Sequence, residues 1–405
     1  GLFGSADASG QQALIDDNKR MIDEGAAIGA DCLVMIGGGL APGSRDIKAA
    51  YVEFSVPLLK TLELSLAARY DEYSDFGNTT NPKVALRWNP IESLALRASW
   101  GTGFRAPSLA QIGLGPSQES QFFRDRFACA VNPIYCASTD YNLRFTGNPD
   151  LEAEESESFN IGAAWKALED VELTLDYWDL TQENKIDEAP FGLVYTENCA
   201  DQNSIICVRN APLPGDELGP LQIINVTFEN IGEQSAKGVD LGGYFGFNAG
   251  PGRTTLGLSY SRLLKFERVE LNADGDTFVA RDLTGEYEFP KDRAVLSADW
   301  ATDTWGAYAN LNYVGSFEDT PDFDFDGTQD YDTRTSREIG SFTTLNLQFR
   351  YTGIRNVRLS LGVDNALDEE PPFAIGDGDT DIYGYVQSQH SPRGRFWNAR
   401  ALFTF

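Results

Sequence analysis

Residues 94 to 104 read Leu-Ala-Leu-Arg-Ala-Ser-Trp-Gly-Thr-Gly-Phe: Leu94, Leu96, Ala98, Trp100, Thr102 and Phe104 form one greasy face, and small or polar residues form the other. A period of two held this long fits an extended strand whose faces meet different surroundings. The same division recurs in Leu62 to Tyr70, and less cleanly in Trp305 to Tyr313, Thr343 to Tyr351 and Val357 to Val363. Only Gln11 to Glu24 suggests helical periodicity of comparable length.

Alternation and turn signals mark about thirteen strands, near 46–57, 61–73, 80–88, 92–104, 155–167, 170–184, 222–248, 253–267, 291–301, 304–317, 340–352, 356–365 and 391–405. Their connections alternate in length. Short ones such as 57–60, 89–92 and 353–356 take turns with long ones at 105–154, 185–221, 268–290, 318–339 and 366–390, and a brief loop at 74–79 falls on the long side. An up-and-down outer-membrane barrel has this layout, with turns in the periplasm and loops outside. A soluble sandwich would also bury one face. Two features favour the barrel. Many strands reach about ten residues, beyond the five or six usual in soluble sheets. Aromatics such as Tyr70, Tyr73, Trp88, Trp100, Phe104, Trp300, Trp305, Tyr351 and Trp397 crowd the strand ends, as interfacial girdles do.

The mean hydropathy of -0.31 is compatible with this, because only every second barrel residue meets lipid. No apolar run is long enough for a spanning helix, which excludes a helical membrane protein. The net charge of -29 and the lack of a Lys/Arg-rich run argue against nucleic acid as a partner. Four of the five cysteines fall in close pairs, Cys129/Cys136 and Cys199/Cys207, inside long connections. Loop-closing disulfides in an oxidising compartment fit this spacing, with reduced surface thiols as the alternative. Cys32 has no evident partner, and His390 is the sole histidine, leaving little material for a zinc site or a His-based triad.

Several phrases, in one order, resemble TonB-dependent receptors. Arg69-Tyr-Asp-Glu-Tyr-Ser-Asp-Phe-Gly77, with Asn81-Pro-Lys83 and Leu86-Arg-Trp88, is similar to a strand pair of that family. Ser99-Trp-Gly-Thr-Gly-Phe-Arg-Ala-Pro-Ser108, Gly147-Asn-Pro-Asp-Leu-Glu-Ala-Glu154, Asn230-Ile-Gly-Glu-Gln-Ser-Ala-Lys-Gly-Val-Asp240 and Val363-Asp-Asn-Ala-Leu-Asp368 resemble later segments, and Phe405 matches the terminal aromatic. The resemblance spans residues 46 to 405. It implies an all-β, antiparallel up-and-down transmembrane barrel of about 22 strands around a plug, of which this chain supplies about thirteen C-terminal strands. Residues 1–45 then read as the remnant of an extracellular loop, with plug, TonB box and first strands upstream. An open sheet of this size leaves edges unpaired in lipid, which also points to a fragment. The family implies partners: the TonB complex, outer-membrane lipid, the barrel assembly machinery, for which Phe405 would be the signal, and a small-molecule nutrient.

The candidate ligand contacts are the loop-borne Arg105, Arg124 and Arg126. Arg105, at the end of a strand, could face the lumen or only satisfy nearby carbonyls; the five donors of a guanidinium favour the latter. Asp322, Asp324 and Asp326 open like a calcium loop, but its twelfth position is Thr333 rather than a bidentate Glu. Calcium and a solvated acidic loop both stay open there, the latter favoured, and Gly376 to Asp381 is a second oxygen-rich segment. The carboxylates of Glu152, Glu154, Glu155 and Glu157 read as solvated. Gly101 and Gly103 lie inside a strand, so a dinucleotide loop is excluded.

No enzyme activity is expected. The functional expectation is energised import of a scarce nutrient, a ferric siderophore, cobalamin, haem or a glycan, across the bacterial outer membrane. A passive porin is the alternative. A soluble β-sheet enzyme or lectin is a third reading, separable by extraction without detergent.

Overall fold

The computed structural model describes residues 45–113, 115–271, 277–319, 337–374 and 384–404. The chain opens with β1 (Ile47–Leu59), β2 (Leu62–Tyr73), β3 (Gly77–Ile91) and β4 (Leu94–Arg105), then α1 (Leu109–Gly113), β5 (Ser117–Phe123), α2 (Arg126–Val131) and β6 (Thr139–Thr146). The long strands β7 (Glu154–Leu168) and β8 (Val171–Glu188) lead to α3 (Phe191–Asn198), β9 (Cys207–Arg209), β10 (Leu221–Ala249), β11 (Gly252–Leu271) and β12 (Phe278–Asp282). Then come β13 (Asp292–Ala301), β14 (Trp305–Val314), β15 (Phe317–Asp319), β16 (Arg337–Ile339), β17 (Phe342–Ile354), β18 (Val357–Asp364) and β19 (Phe396–Phe403).

Thirteen of these strands form one wall. In the order β1, β2, β3, β4, β7, β8, β10, β11, β13, β14, β17, β18, β19, each pairs antiparallel with the next. These are the thirteen segments marked by alternation, and every short turn falls at one end of the wall. Asn356 (φ 61°) and Gly250 (φ 58°) supply the left-handed backbone that two of those turns require.

Register carries the two faces from strand to strand. One row runs Phe54, Leu66, Val84, Trp100, Phe159, and the row one residue along runs Ser55, Ser65, Ala85, Ser99, Asn160. Because directly paired residues share a face, a one-residue slip would exchange the two. The apolar face lacks cover: Leu86, Ile161 and Leu175 are 39%, 50% and 52% exposed. Among the described residues the wall has no second layer. Its buried apolar side chains gather mainly in two clusters beyond it, at the end with the long connections. A single sheet with a broad bare apolar face is incompatible with water on that side, which decides against a soluble sandwich.

The long connections hold more structure than the sequence indicates. β5 and β6 form a hairpin, β6 runs parallel to the start of β10, and β9 lies antiparallel beside it. Alternation in these pieces is too short to separate from a loop. The segment Gln11 to Glu24 and Cys32 lie outside the described residues, as do Asp322, Asp324, Asp326, the segment Gly376 to Asp381, and Phe405.

Candidate functional site: the long-loop rim and its stapled cap

Where β4 and β7 reach the rim, Arg105 and Glu154 stand opposite each other in register. Arg105 Nε donates to Glu154 Oε2 at 2.5 Å, and its second nitrogen reaches the other oxygen. Glu154 also accepts from Gln182 Nε2 and from the backbone N–H of Ile186, both at 2.8 Å. With four donors converging on it, Glu154 is 1% exposed, whereas its place in an acidic run predicts a solvated carboxylate. The correction has a physical reason: a buried carboxylate persists where a bidentate guanidinium and a backbone N–H replace its hydration. Arg105 meets this carboxylate rather than backbone carbonyls.

Neighbouring motif residues brace the same rim. Asn148 Nδ2 donates to the Phe228 carbonyl at 2.8 Å, and Asn230 bridges Glu152 and Asn184, accepting from the Glu152 N–H at 2.9 Å and donating to the Asn184 carbonyl at 2.8 Å. Arg45 bonds Asp75 at 2.7 Å and the Pro107 carbonyl at 2.5 Å, with its guanidinium over Tyr73 and Phe76. Asn365, buried and at φ 48°, exchanges hydrogen bonds with Glu369 at 2.8 and 3.0 Å to start the last long loop. These short polar side chains tie connections far apart in sequence to fixed strand ends.

Above the brace, β5, β6, β9 and the start of β10 carry α2 and α3 as a cap. Disulfides Cys129–Cys136 and Cys199–Cys207 close it, with Cα atoms 4.5 and 5.1 Å apart. Its core is Tyr141, Leu143, Tyr195, Ile224 and Val226, with Phe123 edge-on to Phe191 and Tyr195. At its centre Asp125 and Arg209 form an ion pair of 2.6 Å, 1% and 0% exposed. Asp125 caps α2 through the Ala128 N–H at 3.2 Å and accepts from the Tyr195 hydroxyl at 2.9 Å. Arg209 also donates to the carbonyls of Cys199 (2.6 Å) and Gly219 (2.8 Å). Burial alone would push the Asp125 carboxyl up; the hydrogen bonds from Arg209 and Ala128, with the Arg209 charge, outweigh it and hold it below the usual range. Burial and then the Asp125 charge push the Tyr195 phenol well above its ordinary value.

Arg126 donates to Thr196 Oγ1 at 2.8 Å and lies over the rings of Phe127 and Tyr195. Arg124 is exposed and makes no hydrogen bond or ion pair among the described residues. Of the three candidate arginines, Arg124 thus keeps all five of its donors free for a ligand among the described residues. Asp125, Tyr195 and Arg209 escaped sequence reading. Asp125 had a signal, an N-cap residue just before a short helix. A buried Arg209 has none.

A wall with one apolar and one polar face, long loops at one end and a stapled cap there define an architecture. The model of the TonB-dependent receptor-like β-barrel matches residues 20–366. The chain belongs to this family. The vitamin B12 transporter BtuB of Vibrio vulnificus is 23% identical over 363 residues, covering 89% of this chain and 43% of that protein. The ferric enterobactin receptor PfeA of Pseudomonas aeruginosa, solved with enterobactin, superposes with a TM-score of 0.62 at 18% identity, over 89% of this chain and 46% of PfeA. The outer membrane transporter YddB of Escherichia coli gives 0.61 at 12% identity, over 89% and 45%. At such identities the structures share the fold with this receptor-family chain, which spans about half the length of these relatives.

Proposed function

We propose that the intact protein is an outer-membrane import receptor that captures a scarce nutrient, a cobalamin, a ferric chelate or a compound of similar size, and admits it with energy from the TonB complex. The observation that carries this reading is the cap: a folded unit with its own core, two disulfides and a buried ion pair, tied by the brace to the rim of a polar-faced wall. Rigidly mounted loops are where recognition is built on a scaffold. In this reading the long-loop end faces outside, the apolar face meets lipid, and the thirteen strands belong to a barrel of about 22 around a plug. Among the described residues Arg124 is an exposed cap cation without a bonding partner, and no step of chemistry on the cargo is required.

The test is uptake by a strain lacking its own receptors and expressing the full-length gene, with labelled cobalamin, ferric chelates, haem and oligosaccharides. Accumulation of one compound that needs both TonB and the cap supports the proposal. Accumulation that persists without TonB identifies a passive pore, and accumulation indifferent to removal of residues 115–153 and 189–220 refutes the role of the cap.

A further inference from the structure

The wall is split at one place. β3 and β4 pair from Ile91↔Leu94 only as far as Lys83↔Gly101. Beyond that point β3 stays with β2 and β4 stays with β7 up to the rim. Pro82 stands next in line on β3, and its missing N–H removes a rung of the ladder. Between the parted strands lies a cleft of about 350 Å³, within the size range of ligand pockets. Its walls are joined by a weak contact, Thr102 Oγ1 to Asn81 Oδ1 at 3.3 Å, and at the rim by the edge-on approach of Tyr73 to Phe104, whose ring centroids are 5.9 Å apart.

The lining is hydroxyls, amides, carboxylates and one aromatic ring. Asn78, Asn81, Thr102, Phe104, Glu155 and Glu183 contribute, and neither Lys nor Arg does. Two facts point to a ligand. Glu155 and Glu183 face each other directly in register, exposed and with no cation or hydrogen-bond donor of the described residues on either; like charges so paired destabilise a sheet unless something outside it accepts them. Moreover, the cleft lies on the wall just beyond Trp100 and Phe159, the last apolar pair of its row, whose outward neighbours are Thr102 and Glu157.

We infer that this cleft binds a pyranose ring of a neutral or amino sugar. Glu155 and Glu183 would accept charge-assisted hydrogen bonds from sugar hydroxyl or ammonium groups, the Asn78 and Asn81 amides would donate and accept at the next positions, and Phe104 would offer its ring to the sugar's C–H face. The absence of a lining cation excludes a bare anion. The chemistry is shared by a free glycan and by the oligosaccharide of an outer-leaflet glycolipid. The inference goes beyond the import reading, since it concerns the wall and neither cap nor cargo route.

The test is calorimetric titration of the full-length protein in detergent with chitotriose, maltotriose and core oligosaccharide released from lipopolysaccharide, alongside a measurement of lipopolysaccharide retained on purification. Glu155→Gln/Glu183→Gln relieves the like-charge pair and so should fold at least as well as the parent; Phe104→Ala removes the ring. The expected result is binding of at least one sugar, weakened by about tenfold or more in both variants, as loss of charge-assisted bonds predicts. Parallel loss of retained lipopolysaccharide identifies the glycolipid as the source, and unchanged retention identifies a free glycan. Binding of none of the three probes, or binding indifferent to both variants, overturns the inference. So does calcium binding that the double variant abolishes while no sugar binds.

Discussion

Arg209→Met removes the cation of a fully buried ion pair and leaves the carboxylate of Asp125 alone with the Tyr195 hydroxyl and the Ala128 N–H. The carbonyls of Cys199 and Gly219 lose their side-chain donor at the same time. Breaking a buried pair from one side costs about 3–5 kcal/mol. At about 1.4 kcal/mol per factor of ten, the open population of the cap rises by roughly two to three and a half powers of ten. Hydrogen exchange reads this locally, with the amides of Asn210 and Asn225 as reporters, bonded to the Pro220 and Ile206 carbonyls at 2.9 and 2.8 Å. Adding Asp125→Asn to Arg209→Met should restore part of the protection, since the charge that needed the guanidinium is gone. Protection within about threefold of the parent in the single variant, or strictly additive losses in the double, would refute the keystone role.

His390 is buried between Phe317 and Phe342, both ring nitrogens without a hydrogen-bond partner among the described residues, and burial followed by the Arg293 charge hold its pKa below the ordinary 6.5. The fold therefore holds the neutral ring, and its contribution is full above the ordinary value and lost as pH falls through it; amide protection around Val386 should drop between pH 7.5 and 5 by roughly one proton's linkage, and His390→Phe should flatten that drop. Opening Cys199–Cys207 by Cys→Ser at both positions should cost the cap about 2.5 kcal/mol on loop-closure entropy, read as faster thermolysin cleavage of the cap with the wall intact. Ala98→Arg on the apolar face should destabilise by about 2–4 kcal/mol in urea titration of vesicle-inserted protein, and Ser99→Arg on the polar face by much less. Gly162→Val drives a side chain into the Asp176 carboxylate, which Arg97 reaches across that glycine at 2.8 Å; a loss of about 1–3 kcal/mol in the same titration is expected.

The wall was legible residue by residue. Leu94 to Phe104 and Leu62 to Tyr70 alternate because the two faces of a strand meet different solvents, and that pressure acts on each residue independently of what its neighbours do in space. The connections were opaque for the converse reason. β9 spans only Cys207–Arg209, α2 only Arg126–Val131, and each persists through contacts with chain far away in sequence. Glu154 shows the same limit: its neighbours Glu152, Glu155 and Glu157 are exposed as acidic runs usually are, and Arg105, Gln182 and Ile186, brought near by pairing, bury one of the four.

Sequence by itself thus determined the thirteen strands of the wall, its two faces, the sidedness of short and long connections and the close spacing of the cysteines, all written in local period and spacing. Tertiary structure alone decided that Asp125 meets Arg209, that Arg105 meets Glu154 while Arg124 stays free, and that β3 and β4 part beyond Pro82. Those outcomes depend on register and on which strands lie side by side, and a partner brought close across the fold leaves no periodic mark on the residues that meet it.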